Sequence, residues 1–226
     1  MQLQDLKRTW RAAGPGGVLL DLSCRVGYKL TRLLVMNALV LEPGKLNRDF
    51  LEFPTGYRHG FLDPADVLRH AGGEGLDLPA TFVEVALAKG DLCFGILVGD
   101  RLVSYVWYAA TATLVTDELV LRFAPDYHYR YKGYTLAEYR GQRLYSYGCA
   151  HALAELTARG SRGSIGLVDV NNFASMRTAT RTGCVPAGRF FAWNVGGGWS
   201  IRSSGDYARY GMSMDAGPLG DASSRA

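Results

Sequence analysis

The residues best suited to chemistry lie in one short turn, Glu138-Tyr139-Arg140-Gly141-Gln142-Arg143, between an aromatic segment and a long helical pattern. The first backbone N–H groups of a helix have no partner within it, and the helix dipole is positive at that end. Gly141 permits close approach of the backbone to a bound group, and Arg140 and Arg143 bring guanidinium groups that pair with phosphate oxygens. The turn therefore offers anion binding, and a pyrophosphate is a fitting ligand. An ordinary basic strand-to-helix connection carries the same residue types, so both readings stand at this level.

The neighbouring elements must hold that turn. Residues 128–137, HYRYKGYTLA, are predicted to form the strand that enters it, with Gly133 marking a bulge or a close backbone approach. A helix is expected from near Arg143 to near Arg159, with Gly160 as its stop. Upstream, the apolar run 33–41 reads as a buried strand, and Asp63-Pro64 opens a short helix. Pro79 to Lys89 forms a second helix, and Gly99-Asp100 turns a hairpin between CFGILV and RLVSYVWYA. ELVLRF at 118–123 is another extended segment. Downstream, SIGLVDV at 164–170 is a strand, and Asn171-Asn172 caps a short helix that stops at Gly183. GRFFAWNV and WSIRSS pair around Gly196-Gly197-Gly198. Residues 1–26 are weakly patterned, with Gly14-Pro15-Gly16-Gly17 as a loop, and 44–60 fit no element. The aromatics at 105–108 and 127–134 suit sheet packing, or the lining of a pocket on one face.

This order predicts one mixed α/β (α+β) domain over residues 1–214, with a largely antiparallel central sheet flanked by helices and a disordered tail over 215–226. Of the 226 residues, 48% are hydrophobic and 20% charged, enough apolar content for a real core. A net charge of +4 suits an anionic ligand but is too weak, without any Lys/Arg run, to argue for nucleic acid. Cys24, Cys93, Cys149 and Cys184 form no CxxC pair, so neither a zinc nor a redox motif is indicated. The polar N-terminus is unlike a signal peptide, and the longest apolar run falls far short of the ~20 residues of a membrane helix. A cytoplasmic protein with reduced thiols is expected.

Two motifs, in this element order, resemble the GNAT superfamily of CoA-dependent N-acetyltransferases. TLAEYRGQRLY at 135–145 resembles its strand end and pyrophosphate loop: Gly141 matches the first glycine, Glu138 stands where Gln or Arg is usual, and Arg143 where a second Gly or Ala is usual. VDVNNFASMRTATRTGCVPAGRF at 168–190 resembles the family's V-x-x-x-N-x-x-S/A segment; Asn172, Ser175 and Gly183 match, and Cys184 replaces a Phe. The resemblance covers roughly residues 78–200.

The resemblance implies a GNAT-like sheet and acetyl-CoA as co-substrate, with no metal. It implies cofactor contacts from Tyr134, Thr135 and Leu136 on the strand, and from Arg140, Gly141, Gln142, Arg143, Leu144 and Tyr145 at the loop and helix start. Asn172 and Ser175 join them, although Asn172 is equally explained as an N-cap. An amide of the strand would polarise the thioester carbonyl. Many members carry a tyrosine as leaving-group acid where this chain has Ala179; Tyr145 is the nearest substitute by sequence, and equally a packing aromatic. Glu118 is the candidate base, chosen over Asp117, His128, Tyr129 and His151. The function expected is direct transfer of an acetyl group to an amine, on a small molecule or a peptide. The alternatives are a GNAT-like binding or scaffold module without catalysis, and an acyltransferase using another acyl-CoA or a carrier-protein donor. A monomer or homodimer is expected, with neither nucleic acid nor membrane as partner.

Overall fold

Segments rich in β-branched and aromatic residues pair because such side chains fill a pleated, half-buried surface. A computed structural model describes residues 3–217. Its strands in chain order are β1 (Leu34–Leu41), β2 (Arg58–Phe61), β3 (Leu92–Val98), β4 (Arg101–Ala109), β5 (Thr113–Thr116), β6 (Leu119–Arg122), β7 (Tyr127–Thr135), β8 (Gly163–Asp169), β9 (Val185–Val195), β10 (Gly198–Ser204) and β11 (Ser213–Ala216). The helices are α1 (Leu3–Thr31), α2 (Pro64–His70), α3 (Ala80–Ala88), α4 (Leu144–Ala158) and α5 (Phe173–Thr182). Eight strands form one sheet in the order β10-β9-β1-β8-β7-β4-β3-β2, and β11-β6-β5 form a smaller one. The β7–β8 pair is parallel and the other paired neighbours are antiparallel, so the mixed, largely antiparallel sheet is as expected.

Alternation along the strands sends successive side chains to opposite faces. Leu39 and Leu41 of β1 pack with Cys149 and Leu153 of α4 and Ala179 of α5. Met36, Ala38 and Val40 face the other way, against Tyr127 and Tyr129 of β7, Ile165 of β8 and Leu119, Leu121 and Met214 of the small sheet. The large sheet is thus covered by α4 and α5 on one face and by the three-stranded sheet with α2 and α3 on the other.

Three local readings change. The expected loop at 14–17 lies within α1, which breaks at Gly14 (φ 64°, ψ −165°) and restarts at Pro15. Proline suits that restart because the first helical N–H has no partner in any case. Residues 44–60 contain two short 3-10 turns, Pro43–Lys45 and Arg48–Phe50, and the edge strand β2. Asp215 and Ala216 do not belong to a tail: they pair with β6, and Asp215 accepts from Arg122 Nε at 2.9 Å. The rest of the expected tail, 218–226, lies outside the described residues. Cys24, Cys93, Cys149 and Cys184 are free thiols. Among the described residues no helix is long and apolar enough to cross a membrane.

Candidate active site

The sheet opens where its parallel pair comes apart. β7 and β8 are in register from Tyr127–Gly163 to Arg130–Gly166 and then diverge, although both strands continue. A bulge in β7 drives the divergence. Its register with β4 shifts between Tyr105–Tyr134 and Trp107–Tyr131, with Lys132 at a left-handed φ of 42°. Gly133 is required there by its neighbour: a Cβ would lie 2.2 Å from Cε2 of Tyr145. At the vertex Gly166 makes room for Arg130, whose Nη2 would be 3.1 Å from a Cβ at that position. Beyond the vertex lies a cleft of about 740 Å³ that reaches both faces of the sheet.

On the helical face the cleft ends at the basic turn. Gly141 (φ 84°) and Arg143 (φ 62°) are both left-handed, and Arg143 is the N-cap of α4. A side-chain-bearing residue in that region carries strain, which points to a function for the loop. Alternation of backbone handedness turns N–H groups inward into an anion-binding concavity. Ser146 and Tyr147 both donate back to the Arg143 carbonyl, leaving the preceding N–H groups to the loop. Arg140 donates from Nε to the Thr135 carbonyl at 3.0 Å and lies over the Tyr134 ring, 5.5 Å from its centroid. Asn172 caps α5, its Oδ1 accepting from Ser175 N–H at 3.1 Å.

Of the residues singled out from sequence, Tyr134, Thr135, Arg140, Gly141, Tyr145, Asn172 and Ser175 line the cleft. Leu136, Gln142, Arg143 and Leu144 do not. Leu136 is buried in the core and its N–H bonds to the Val103 carbonyl. Leu144, the first residue of α4, is buried in the core, and Gln142 accepts from the Tyr57 hydroxyl at 2.5 Å. Glu138 pairs with Arg101 at 2.6 Å and does not line the cleft. The exposed Arg143 side chain leaves the loop open. Tyr145 packs on the bulge, and burial pushes its phenol well up, so it holds its proton at neutral pH.

The opposite face supplies different chemistry. Tyr129, Tyr131, Leu34, Met36, Val115 and Thr116 line the cleft there. Asp169, the last residue of β8, shares the face of Ile165 and Leu167 by alternation. Its surface is open to the cleft, yet the crowding protein withdraws enough water to raise its carboxyl above the usual range. Beside it, the buried Tyr129 phenol is raised by burial and then by the Asp169 charge. Asp169 also borders a second cavity of about 680 Å³, between the last turns of α1 and the start of β1, with Leu22, Cys24, Tyr28 and Lys29 in its wall. Glu118 is not brought into either cavity. It pairs with Arg32 at 2.6 Å and accepts from Trp199 Nε1 at 2.9 Å, so its charge is already engaged. His128 hydrogen-bonds Ser161 at 3.1 Å, and His151 packs 4.5 Å from His59, both away from the cleft. Asp169 was missed in the sequence; its signal was a lone acid ending an apolar strand. Among the described residues no group of three or more His, Cys, Asp or Glu is placed to hold a metal ion.

No protein-family profile matches the chain, and no curated protein does. Solved structures do. An acetyltransferase from the GNAT family of Colwellia psychrerythraea superposes with a TM-score of 0.51 at 13% identity, over 71% of this chain and 55% of that one. A GCN5-related N-acetyltransferase from Sphaerobacter thermophilus does so with a TM-score of 0.50 at 11% identity, over 85% and 57%. This chain spans little more than half the length of either. At such identities the likeness is one of fold. The chain has the fold of the GCN5-related N-acetyltransferase superfamily.

Proposed function

We propose that the protein is an N-acetyltransferase that moves an acetyl group from acetyl-CoA to an amine by direct attack. One observation carries this reading: the wedge between β7 and β8 opens through the sheet, from an anion-binding loop on one face to an isolated carboxylate on the other. The pyrophosphate would rest on the N–H groups that open α4, with Arg140 beside it. The pantetheine arm would run along the edge of β7 that faces β8, where no strand pairs with it past Arg130. An N–H of that edge, re-aimed by the bulge, would donate to the thioester oxygen as it becomes an oxyanion.

The acceptor would enter from the other face, through the cavity that Asp169 shares with α1. Asp169 would take the proton of the attacking amine. A carboxyl raised above its usual range is a better base for that task than an ordinary one, provided that it is ionised. Tyr145 keeps its proton and would pack against the cofactor arm as part of the cleft wall. No covalent enzyme intermediate is required.

Thermal melting with and without acetyl-CoA tests the donor half. Ligand that binds the folded state alone raises Tm, by an amount set by concentration over Kd. No rise at saturating acetyl-CoA sinks the reading. The acceptor half is read by release of free CoA thiol over a panel of amines. A rise in Tm without turnover of any amine favours a binding module instead.

A further inference from the structure

Resting on the acyl-CoA reading of the cleft, we propose that Arg130 is a catalytic residue whose guanidinium holds the thiolate that leaves the acyl carbon. Arg130 is 6% exposed and lines the cleft at its vertex, on the face covered by α4 and α5. Its Nη1 donates to Ser164 Oγ and its Nη2 to Cys184 Sγ, each at 3.3 Å. Among the described residues its partners are thus a hydroxyl, at a long distance for a guanidinium donor, and a thiol sulfur, and not a carboxylate. Guanidinium cannot shed its charge, so a buried one without a counter-charge is costly to the fold. An anion formed in the cleft offsets that cost.

The reaction forms one such anion on this face. Attack by the amine nitrogen makes the new C–N bond and a tetrahedral oxyanion. Collapse of that oxyanion breaks the C–S bond, and the electron pair stays on sulfur. The amine proton goes to Asp169 and from there to solvent; the thiolate is held by Arg130 until it leaves and takes a proton from water. The described residues of the wall beside Arg130 supply no ready acid for it. Ala179 lines this wall, and its carbonyl accepts from Cys184 N–H at 2.9 Å, which places a methyl group beside the Arg130 partner. Tyr145, also on this wall, is raised by burial and is too weak an acid to protonate a thiolate. A fixed cation lowers the energy of the leaving group without any proton transfer.

The test is a titration of the thiol of CoA bound to the full chain, read by thiolate ultraviolet absorbance. On the wild type the midpoint should fall about one to three pH units below that of free CoA, as expected for an adjacent opposite charge. The shift should vanish in Arg130→Met and persist in part in Arg130→Lys. CoA with its sulfur replaced by hydrogen should bind wild type and Arg130→Met equally; a merely structural role would weaken both ligands alike. An unshifted midpoint on the wild type overturns the proposal whether or not the variants fold. Failure of CoA to bind the wild type removes the reading of the cleft, and this proposal with it. CoA binding with an ordinary titration removes this proposal alone.

Discussion

The two faces of the wedge are built from different materials. On the helical face the groups proposed to bind the cofactor are largely backbone: a left-handed turn, the N–H groups that open α4, and the unpaired edge of β7. On the other face they are side chains contributed by β1, β5, β7 and β8, with α1 closing the second cavity. A backbone site depends on local chain geometry, so it should tolerate changes of side chain such as Glu138 and Arg143. A side-chain site depends on which strands become neighbours, and one substitution there removes a function outright.

The sharpest way to break this contrast is Asp169→Asn. If Asp169 is the base, kcat should fall by about 10²- to 10⁴-fold, with acetyl-CoA affinity unchanged. In the wild type the acid limb of the rate profile should lie above the ordinary aspartate value of about 3.9, because the carboxyl is raised, and the limb should disappear in the variant. The same shift has a stability consequence. A carboxyl that is raised in the fold favours folding below its unfolded value, and that contribution is lost as pH rises through the folded value. Asp169→Asn should flatten this slope in denaturant titrations against pH.

Gly133→Ala strikes the joint between the faces. The added methyl meets the half-buried ring of Tyr145, so it should destabilise the fold by about 1–3 kcal/mol and weaken acetyl-CoA binding with it. Chemical denaturation and calorimetry read the two effects. Arg140→Ala sharpens the backbone claim: affinity for acetyl-CoA should fall by about tenfold, since the loop N–H groups remain, with kcat preserved at saturation. A complete loss of binding would mean that the side chain, not the backbone, carries the phosphate. Glu118→Gln should have the smallest effect. Its exposed pair with Arg32 contributes under about 1 kcal/mol, and turnover should be unchanged. Loss of turnover in Glu118→Gln, together with an active Asp169→Asn, would reverse the assignment of the base.

The unequal legibility of the two faces in the sequence has the same origin. Gly141, the bulge at Gly133 and the start of α4 were readable because each is a property of a few consecutive residues. Glu118 looked like a base because it precedes a strand, but Arg32 and Trp199, brought from distant parts of the chain, occupy its carboxylate. Asp169 looked like the end of a strand, and only the pairing of β8 with β1 and its parting from β7 set it at the cleft. Arg130 lay within a stretch of aromatics, and its burial follows from the packing of α4 and α5. The long α1 was obscured by Gly14 and Pro15, residues that usually end a helix and here divide one.

The sequence by itself determined β1, β3, β4, β6 to β10 and the helices α2 to α5, with the basic turn ahead of α4 and the segment that enters it, because periodicity, capping and glycine act over a few residues. The tertiary structure alone decided that β1 inserts between β8 and β9, that β7 and β8 part after Arg130, and that Arg130 and Asp169 face opposite sides of one opening. Those are outcomes of pairing across long sequence separations, and a one-residue change of register in β8 would have turned Asp169 to the other face.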